Sequence, residues 1–176
     1  KCHKSIEVNA LDGCQKRTPL IQACFKGDKK IVKLLLSVPG IDVNLKSFTN
    51  HTALYYAACN GSKSIVKLLM KDRKLDVNCR DNSGKTPLFY TACNGSKSIV
   101  KLLMKHQKLD ADCRDNFGKT PLFYAAKNGH TGVVKLLLQH PRLSNQENSM
   151  RYYQTSKPEI MHLLENHLPS QTLIRV

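Results

Sequence analysis

The chain has 176 residues, of which 41% are hydrophobic, and it carries a formal net charge of +15. This composition supplies a buried core and excludes a predominantly disordered protein. No apolar run approaches the ~18–20 residues that a membrane helix requires, and the first residues lack the apolar segment of a signal peptide. We therefore expect an intracellular, cytoplasmic protein, with the nucleus or a host cytosol as alternatives. The charge favours an acidic partner.

A repeat of 34 residues organises the sequence. Residues 84–90 and 118–124 share the heptapeptide GKTPLFY, and residues 58–71 and 92–105 share ACNGSKSIVKLLMK. Related segments begin at Thr18 and Thr52, at the same interval. A fixed period of this size indicates stacked supersecondary units, each of which buries its apolar face against its neighbours.

The third unit shows the local structure that we expect in every unit. A tight turn is predicted at residues 81–84, because Asp, Asn and Gly are favoured there. Thr86 is a preferred helix N-cap, and Pro87 suits the first helical position, where its missing N–H is harmless. A short helix then runs to Asn94. Ser96 opens a second helix, whose apolar face is formed by Ile99, Val100, Leu102 and Leu103.

A turn, the motif T-P-L-x-x-A, a short helix, N-G and a second helix with I-V-x-L-L together resemble the ankyrin repeat over roughly residues 9–143. The resemblance implies an all-α ankyrin-repeat solenoid, built of helix–turn–helix pairs with protruding β-hairpin-like fingers. The predicted division is 1–9, the tail of a truncated preceding repeat; 10–44, 45–78, 79–112 and 113–144, four full repeats; and 145–176, a degenerate C-terminal capping repeat and tail.

The chain departs from the family pattern at two positions. The family's histidine after T-P-L is replaced in every repeat, so its usual inter-repeat hydrogen bonds are not expected. The turn glycine is Lys16 in the first unit and Asn50 in the second. Asn tolerates the left-handed backbone region, whereas Lys16 predicts an altered first finger. The residues that replace the histidine are Ile21, Tyr55, Phe89 and Phe123.

Both ends of the array are irregular. Residues 6–9 (IEVN) match residues 41–44 (IDVN), the tail of a repeat whose helices are missing, so we expect a chain cut from a longer protein, inside an array or after another cap. Residues 159–164 predict a last helix, arriving early after an irregular stretch at 144–156. Leu173 and Ile174 either pack back or lead to more chain. The predicted polar outer face of the last helix consists of Glu159, His162, Glu165 and Asn166.

The resemblance implies that a partner protein binds the finger tips and the inner face of the first helices, which form a concave surface. Phe48 and Phe117 stand out, because exposed aromatic residues are enriched at binding hot spots. Their alternative role is sideways packing on a neighbouring finger. Tyr56, Tyr90 and Tyr124 are instead predicted to pack between repeats, with the hydroxyl groups at the rim. The predicted partner-binding residues are Lys46, Phe48, His51, Arg80, Asn82, Lys85, Arg114, Asn116, Phe117, Lys119 and Lys127.

A second cationic surface, the lysine ridge, is predicted on the outer face of the second helices. Like charges four residues apart weaken a helix by a few tenths of a kcal/mol per pair, so helix stability does not explain them. The ridge is either a solvated face or a surface that docks onto an anionic membrane or nucleic acid. Its members are Lys29, Lys33, Lys63, Lys67, Lys97, Lys101 and Lys135.

No catalytic or metal site is predicted. The GKT of residues 84–86 and 118–120 resembles the end of a phosphate-binding loop, but Cys79 and Cys113 stand where that loop needs its first glycine. The histidines are scattered singly, so no base converges on a nucleophile. Cysteines at equivalent positions of neighbouring repeats are too far apart for a disulfide. We expect no enzyme, no cofactor, no metal and no small-molecule substrate.

The sequence thus predicts a non-catalytic protein–protein interaction scaffold. It is expected to be a monomer whose partner presents an acidic segment to the concave face. One alternative is electrostatic docking to an anionic membrane surface or nucleic acid through the lysine ridge. The other is that the array serves as a targeting module of a larger enzyme or of a secreted bacterial effector.

Overall fold

The computed structural model describes residues 7–141 and 157–167, and within them it contains nine α-helices and no β-strand. Most of these helices have seven or eight residues, as two-turn units of a repeat require. The helices are α1 (Pro19–Lys26), α2 (Lys29–Leu35), α3 (Ala53–Cys59), α4 (Lys63–Leu69), α5 (Pro87–Cys93), α6 (Lys97–Leu103), α7 (Pro121–Lys127), α8 (Thr131–Leu138) and α9 (Pro158–His167).

The first eight helices form four pairs, each with one inner and one outer helix. The inner helices α1, α3, α5 and α7 stack on one another, and the outer helices α2, α4, α6 and α8 form a second row. The last helix, α9, packs on α8. This arrangement is an all-α repeat solenoid and confirms the predicted fold class.

Threonine starts every inner helix. The Oγ1 atoms of Thr18, Thr52 and Thr120 each accept a hydrogen bond of 3.2 Å from a backbone N–H in the first helical turn. Each bond satisfies a donor that the helix itself leaves unpaired. Thr86 occupies the same position, but its side chain makes no capping bond; its Oγ1 lies 3.6 Å from Cys113 Sγ instead.

The core lies between the two rows of helices. Val66 and Val100 of the outer helices and Leu54 and Leu88 of the inner helices are all 0% exposed. Burial of one such side chain contributes about 1.5–3 kcal/mol. The first outer helix is the exception, because Ile31 is 47% exposed at a position where the later repeats bury an isoleucine or valine to 1%. The apolar face of α2 is therefore only partly covered, since Val32 is 0% exposed.

Asparagine side chains join the repeats at the base of the array. Asn44 Nδ2 donates to the carbonyl of Lys74 (2.7 Å), and Asn44 Oδ1 accepts from the N–H of Asp76 (2.8 Å). Asn78 makes the same two bonds one repeat later, and Asn9 makes them one repeat earlier. Their partners are Lys108 and Asp110 for Asn78, and Gly40 and Asp42 for Asn9.

The fingers are the turns that precede the inner helices, and each has a residue with positive φ. Lys16 (φ 48°) and Asn50 (φ 59°) adopt the left-handed conformation that Gly84 (φ 75°) has in the third finger. A lysine in this region costs about 1–2 kcal/mol. The first finger also has one more residue than the third between its opening Asp and the helix N-cap. Lys16 thus keeps the conformation of the later fingers, and the first finger differs in the extra residue: Asp12 bonds N–H groups three and five residues on, whereas Asp81 bonds those two and four residues on.

Helix α9 closes the C-terminal side of the array. Its Ile160 and Leu164 are 0% exposed, so they cover the core of the fourth repeat. The four residues predicted for its polar outer face are all exposed. Residues 1–6, 142–156 and 168–176, which include Leu173 and Ile174, lie outside the described residues. The repeat boundaries stay a prediction.

Candidate functional site

The acidic residues of the third and fourth fingers point inward. Asp81 Oδ1 accepts backbone N–H bonds from Ser83 (2.8 Å) and Lys85 (3.0 Å), and Asp81 Oδ2 accepts a hydrogen bond from the hydroxyl of Tyr90. Asp115 repeats this pattern, with its Oδ2 2.7 Å from the Tyr124 hydroxyl. Both carboxylates are largely buried. Their negative charge is therefore committed to the fingers and is not presented to a ligand.

This network adds hydrogen-bond partners to the prediction for Tyr56, Tyr90 and Tyr124. The rings do pack between repeats: Tyr90 lies 4.7 Å from Tyr55, and Tyr124 lies 5.9 Å from Phe89, between ring centres. The hydroxyl groups of Tyr90 and Tyr124 each donate to the Asp of their own finger, which the sequence analysis did not predict. Burial, followed by the hydrogen bond to Asp81, raises the pKa of Tyr90, so its hydroxyl remains a donor. The Tyr90 hydroxyl and the Asp81 carboxylate are nine residues apart, and no sequence motif indicates a hydrogen bond at this spacing.

Three of the predicted partner-binding residues, Lys46, Arg80 and Arg114, bond the backbone of the fingers. Lys46 Nζ donates to the carbonyl of Arg80 (3.2 Å), and Arg80 Nη1 donates to the carbonyl of Arg114 (2.6 Å). Arg80 also bonds Gly84 of its own finger, as Arg114 bonds Gly118. Lys46 and Arg80 therefore link neighbouring fingers, whereas Arg114 bonds only its own finger, and the sequence analysis missed this role.

The residue before each inner-helix N-cap lies against an aromatic ring. The guanidinium carbon of Arg17 is 4.1 Å from the ring centre of Phe25, and Lys85 Nζ is 4.5 Å from that of Tyr124. Lys119 Nζ lies 4.6 Å from the ring centre of Phe123. Cations at this distance from a ring face are attracted by its quadrupole. The structure thus holds the charged group of Arg17, Lys85 and Lys119 against an aromatic ring.

His51 occupies the same position in the second repeat, but its ring makes different contacts. Its ring stacks on Tyr55 with the ring centres 3.6 Å apart and an interplanar angle of 5°. Nδ1 lies 2.8 Å from Thr49 Oγ1, and Nε2 lies 3.6 Å from Asp81 Oδ2. Burial lowers the pKa of His51 more than the Asp81 carboxylate raises it, and Arg17 lowers it further. Near neutral pH the contact with Asp81 is therefore not an ion pair.

Acid is expected to destabilise the second finger. Because the pKa of His51 in the folded protein is below the ordinary 6.5, the unfolded chain takes up the proton first, and stability is lost as the pH falls below about 6.5. The urea midpoint of the wild type should fall between about pH 7.5 and about pH 5. A His51→Gln variant should lose less over the same range, and identical pH profiles would contradict the assignment.

The finger tips carry the exposed aromatic residues. Phe48 is 69% exposed and Phe117 is 76% exposed, which excludes sideways packing as their main role. Between the tips, Asn50 Nδ2 donates to Asn82 Oδ1 (2.6 Å), and Asn116 Nδ2 donates to the Asn82 carbonyl (3.0 Å). Asn82 and Asn116, predicted to bind a partner, thus form a ladder that links the second, third and fourth tips.

The ends of the inner helices form the floor beside the fingers. Phe25 is 44% exposed and Lys127 is exposed, whereas Cys59 and Cys93 between them are half-buried. The asparagine that follows each of α3, α5 and α7 bonds the previous repeat, as in Asn128 Nδ2 to the Cys93 carbonyl (2.8 Å). Lys127 thus lies at one end of the predicted face and Phe25 at the other.

The lysine ridge lies on the back of the array, away from the fingers. All seven of its lysines are exposed. Lys135 is paired, because its Nζ lies 2.8 Å from Glu159 Oε1. The hydrogen bond from Lys135 is the largest cause of the lowered pKa of Glu159. Among the described residues, no other ridge lysine makes a salt bridge.

The part of the chain that the structure describes shows neither a reactive thiol among its most buried cysteines nor a group of metal ligands. Its six cysteines are free thiols. Burial raises the pKa of Cys24 to about 12 and that of Cys113 to about 11, so these thiols are poor nucleophiles. Over residues 7–141 and 157–167, no group of three or more His, Cys, Asp or Glu side chains could hold a metal ion. Along the same stretches, no helix has the length and apolar character needed to cross a bilayer.

Comparison with known proteins agrees with the architecture. A family model described as "Ankyrin repeats (3 copies)" matches residues 2–81 and 73–149, well over half of the chain. No curated protein matches the chain. Ankyrin repeats generally mediate protein–protein interaction, and proteins built from them are generally non-catalytic binding modules. The stacked helix pairs and this match together show that the chain belongs to the ankyrin-repeat family.

Proposed function

We propose that the chain is a non-catalytic binding module that holds an acidic segment of a partner protein on its concave finger face. The observation that carries this proposal is that acidic and basic side chains lie in different places. Asp81 and Asp115 are turned into their fingers, whereas Arg17, Lys85 and Lys119 lie on the concave side against aromatic rings. The face that a partner meets is therefore cationic.

Exposed aromatic residues at the tips support the same face. Phe48 and Phe117 expose most of their surface and have no packing role that explains them. Aromatic side chains bury a large area at low entropic cost, which is why they are enriched in binding hot spots. The fingers are also held apart by hydrogen bonds from Lys46 and Arg80, so little order has to be gained on binding.

The test uses two double variants that remove the same charge from opposite faces. Lys85→Ser with Lys119→Ser changes the concave side, and Lys63→Ser with Lys67→Ser changes the ridge. Binding of a fluorescent polyglutamate peptide at low ionic strength should weaken about tenfold in the first variant and about twofold or less in the second. Equal weakening in both would contradict a specific concave site and leave only the net charge.

Docking of the lysine ridge onto an anionic surface is the second candidate. It is favoured by six exposed lysines that make no salt bridge with the described residues. The same two variants decide, with vesicles that contain phosphatidylserine as the probe. Loss of vesicle binding only in the ridge variant would support this candidate, and equal binding by both variants would exclude it. The monomeric state, the cytoplasmic location and a role as the targeting module of an enzyme or effector stay predictions.

A further inference from the structure

The repeat sets the spacing of the cations on the proposed face. Arg17, Lys85 and Lys119 stand at the same position of the first, third and fourth repeats, and each is held against a ring. Because neighbouring helices pack at about 8–10 Å, equivalent side chains recur at about that interval along the array. A partner that pairs with several of them must present its carboxylates at a matching interval.

The second repeat interrupts this column. His51 is stacked on Tyr55, and both its ring nitrogens face groups of the protein, Thr49 Oγ1 and Asp81 Oδ2. Near neutral pH this imidazole is also uncharged, because burial lowers the pKa of His51, so it forms no ion pair with a ligand carboxylate. The three cations form an unevenly spaced set, with one interval of two repeats and one of a single repeat.

Of the regular peptide conformations, a polyproline II helix fits this interval best. It rises about 3.1 Å per residue with three residues per turn, so every third side chain lies on one face, about 9 Å apart. A β-strand turns residues i and i+3 to opposite faces. An α-helix repeats a face after about seven residues and is about 10–12 Å wide, which holds its backbone away from half-buried cations.

The shape of the face between the third and fourth repeats agrees with a narrow chain. A notch of about 30 Å³ lies beside Lys85, lined by Phe89, Tyr90, Cys93 and Tyr124. It admits a small apolar group such as the edge of a proline ring. The tyrosine rings there pack edge to face on neighbouring rings, and Lys85 covers Tyr124, so they offer poor platforms for stacked bases. A peptide is therefore favoured over a single-stranded nucleic acid.

We propose that the concave face binds a polyproline II segment with carboxylates at every third residue, which pair with Arg17, Lys85 and Lys119, while the residue opposite His51 contributes no ion pair. This inference rests on the proposed function, because it specifies the acidic segment that the face holds. It also implies that the affinity depends on the spacing of the acids and not on their number alone.

Two proline-rich peptides of identical composition test the spacing. One has glutamate at every third position, and the other has glutamate at every second position. The first should bind about tenfold more tightly by fluorescence anisotropy, since only in that peptide do all the carboxylates share one face. Equal affinities would overturn the spacing. Tighter binding of a helical peptide with glutamate at every seventh position, or displacement by a single-stranded oligonucleotide, would overturn the polyproline II assignment.

The variant His51→Lys tests whether the second repeat lacks an ion pair. It gives the second repeat the lysine that the third and fourth repeats have at positions 85 and 119. The variant should bind the every-third peptide about threefold more tightly, because a fourth ion pair forms. An unchanged affinity in a variant that retains the wild-type circular dichroism spectrum would overturn the assigned gap. Failure of the proposed function is distinguishable, since neither peptide would then respond to Lys85→Ser with Lys119→Ser.

Discussion

Replacing Ile99 with alanine is expected to lower the free energy of unfolding by about 3 kcal/mol. Ile99 lies in the outer helix α6, belongs to the continuous core and is only 1% exposed. Truncation removes buried carbon atoms and leaves a cavity that closely packed neighbours fill only in part. Each repeat of a solenoid contacts only its neighbours, so a defect in the third repeat weakens two interfaces. Urea unfolding followed by far-ultraviolet circular dichroism measures the loss.

Ile31 provides the matched control. It occupies the same position of α2, in the same I-V-K-L-L motif, but it is 47% exposed. Ile31→Ala should cost less than about 1.5 kcal/mol, because little buried surface and almost no cavity are involved. Equal losses in the two variants would show that the face of α2 is covered in solution, contrary to the structure.

Local chemistry explains why the fold could be predicted. Thr at the N-cap followed by Pro at the first helical position gives the start of an inner helix wherever the pair occurs, as at Thr18 and Thr86. The spacing of Ile99, Val100 and Leu103 gives the buried face of an outer helix. Both signals act within one or two turns, and the repeat presents each of them several times.

The contacts that a side chain makes depend instead on the residues of the next repeat. Thr86 and Thr120 lie in identical heptapeptides, yet only Thr120 caps its helix, and the Thr86 hydroxyl lies 3.6 Å from Cys113 Sγ of the next repeat instead. Arg80 was predicted to face a partner protein and also donates to the Arg114 carbonyl, 34 residues on. Local spacing shows which residues share a face, but it does not show which of them the neighbouring finger uses.

Replacing Asp81 with alanine is expected to cost about 3 kcal/mol of stability. The substitution removes an acceptor from two backbone N–H groups and from the hydroxyl of Tyr90, and the hydroxyl is then left half-buried without that partner. Bonds to an ionised acceptor are stronger than those between neutral groups. Urea unfolding measures the cost, and the intrinsic fluorescence of the tyrosines reports the change at Tyr90.

Asp12→Ala is the control for the backbone bonds alone. Asp12 accepts from the N–H groups of Gln15 (3.0 Å) and Arg17 (2.9 Å), but it is exposed, and among the described residues it has no tyrosine partner. Its loss should cost about 1 kcal/mol. A cost for Asp81→Ala as small as this would show that the bond from Tyr90 adds nothing to the third finger.

The same variant separates positioning from charge. Asp81→Ala raises the positive charge of the concave face, so electrostatics alone would make polyglutamate bind more tightly. The structure predicts the opposite result, since Asp81 Oδ1 bonds the backbone of Lys85 and so fixes the residue whose ammonium group lies over Tyr124. We expect binding about threefold weaker, because each ion pair with an exposed ligand contributes a factor of this size. Tighter binding would mean that the fingers act only as a source of charge, and that their order does not determine what the face holds.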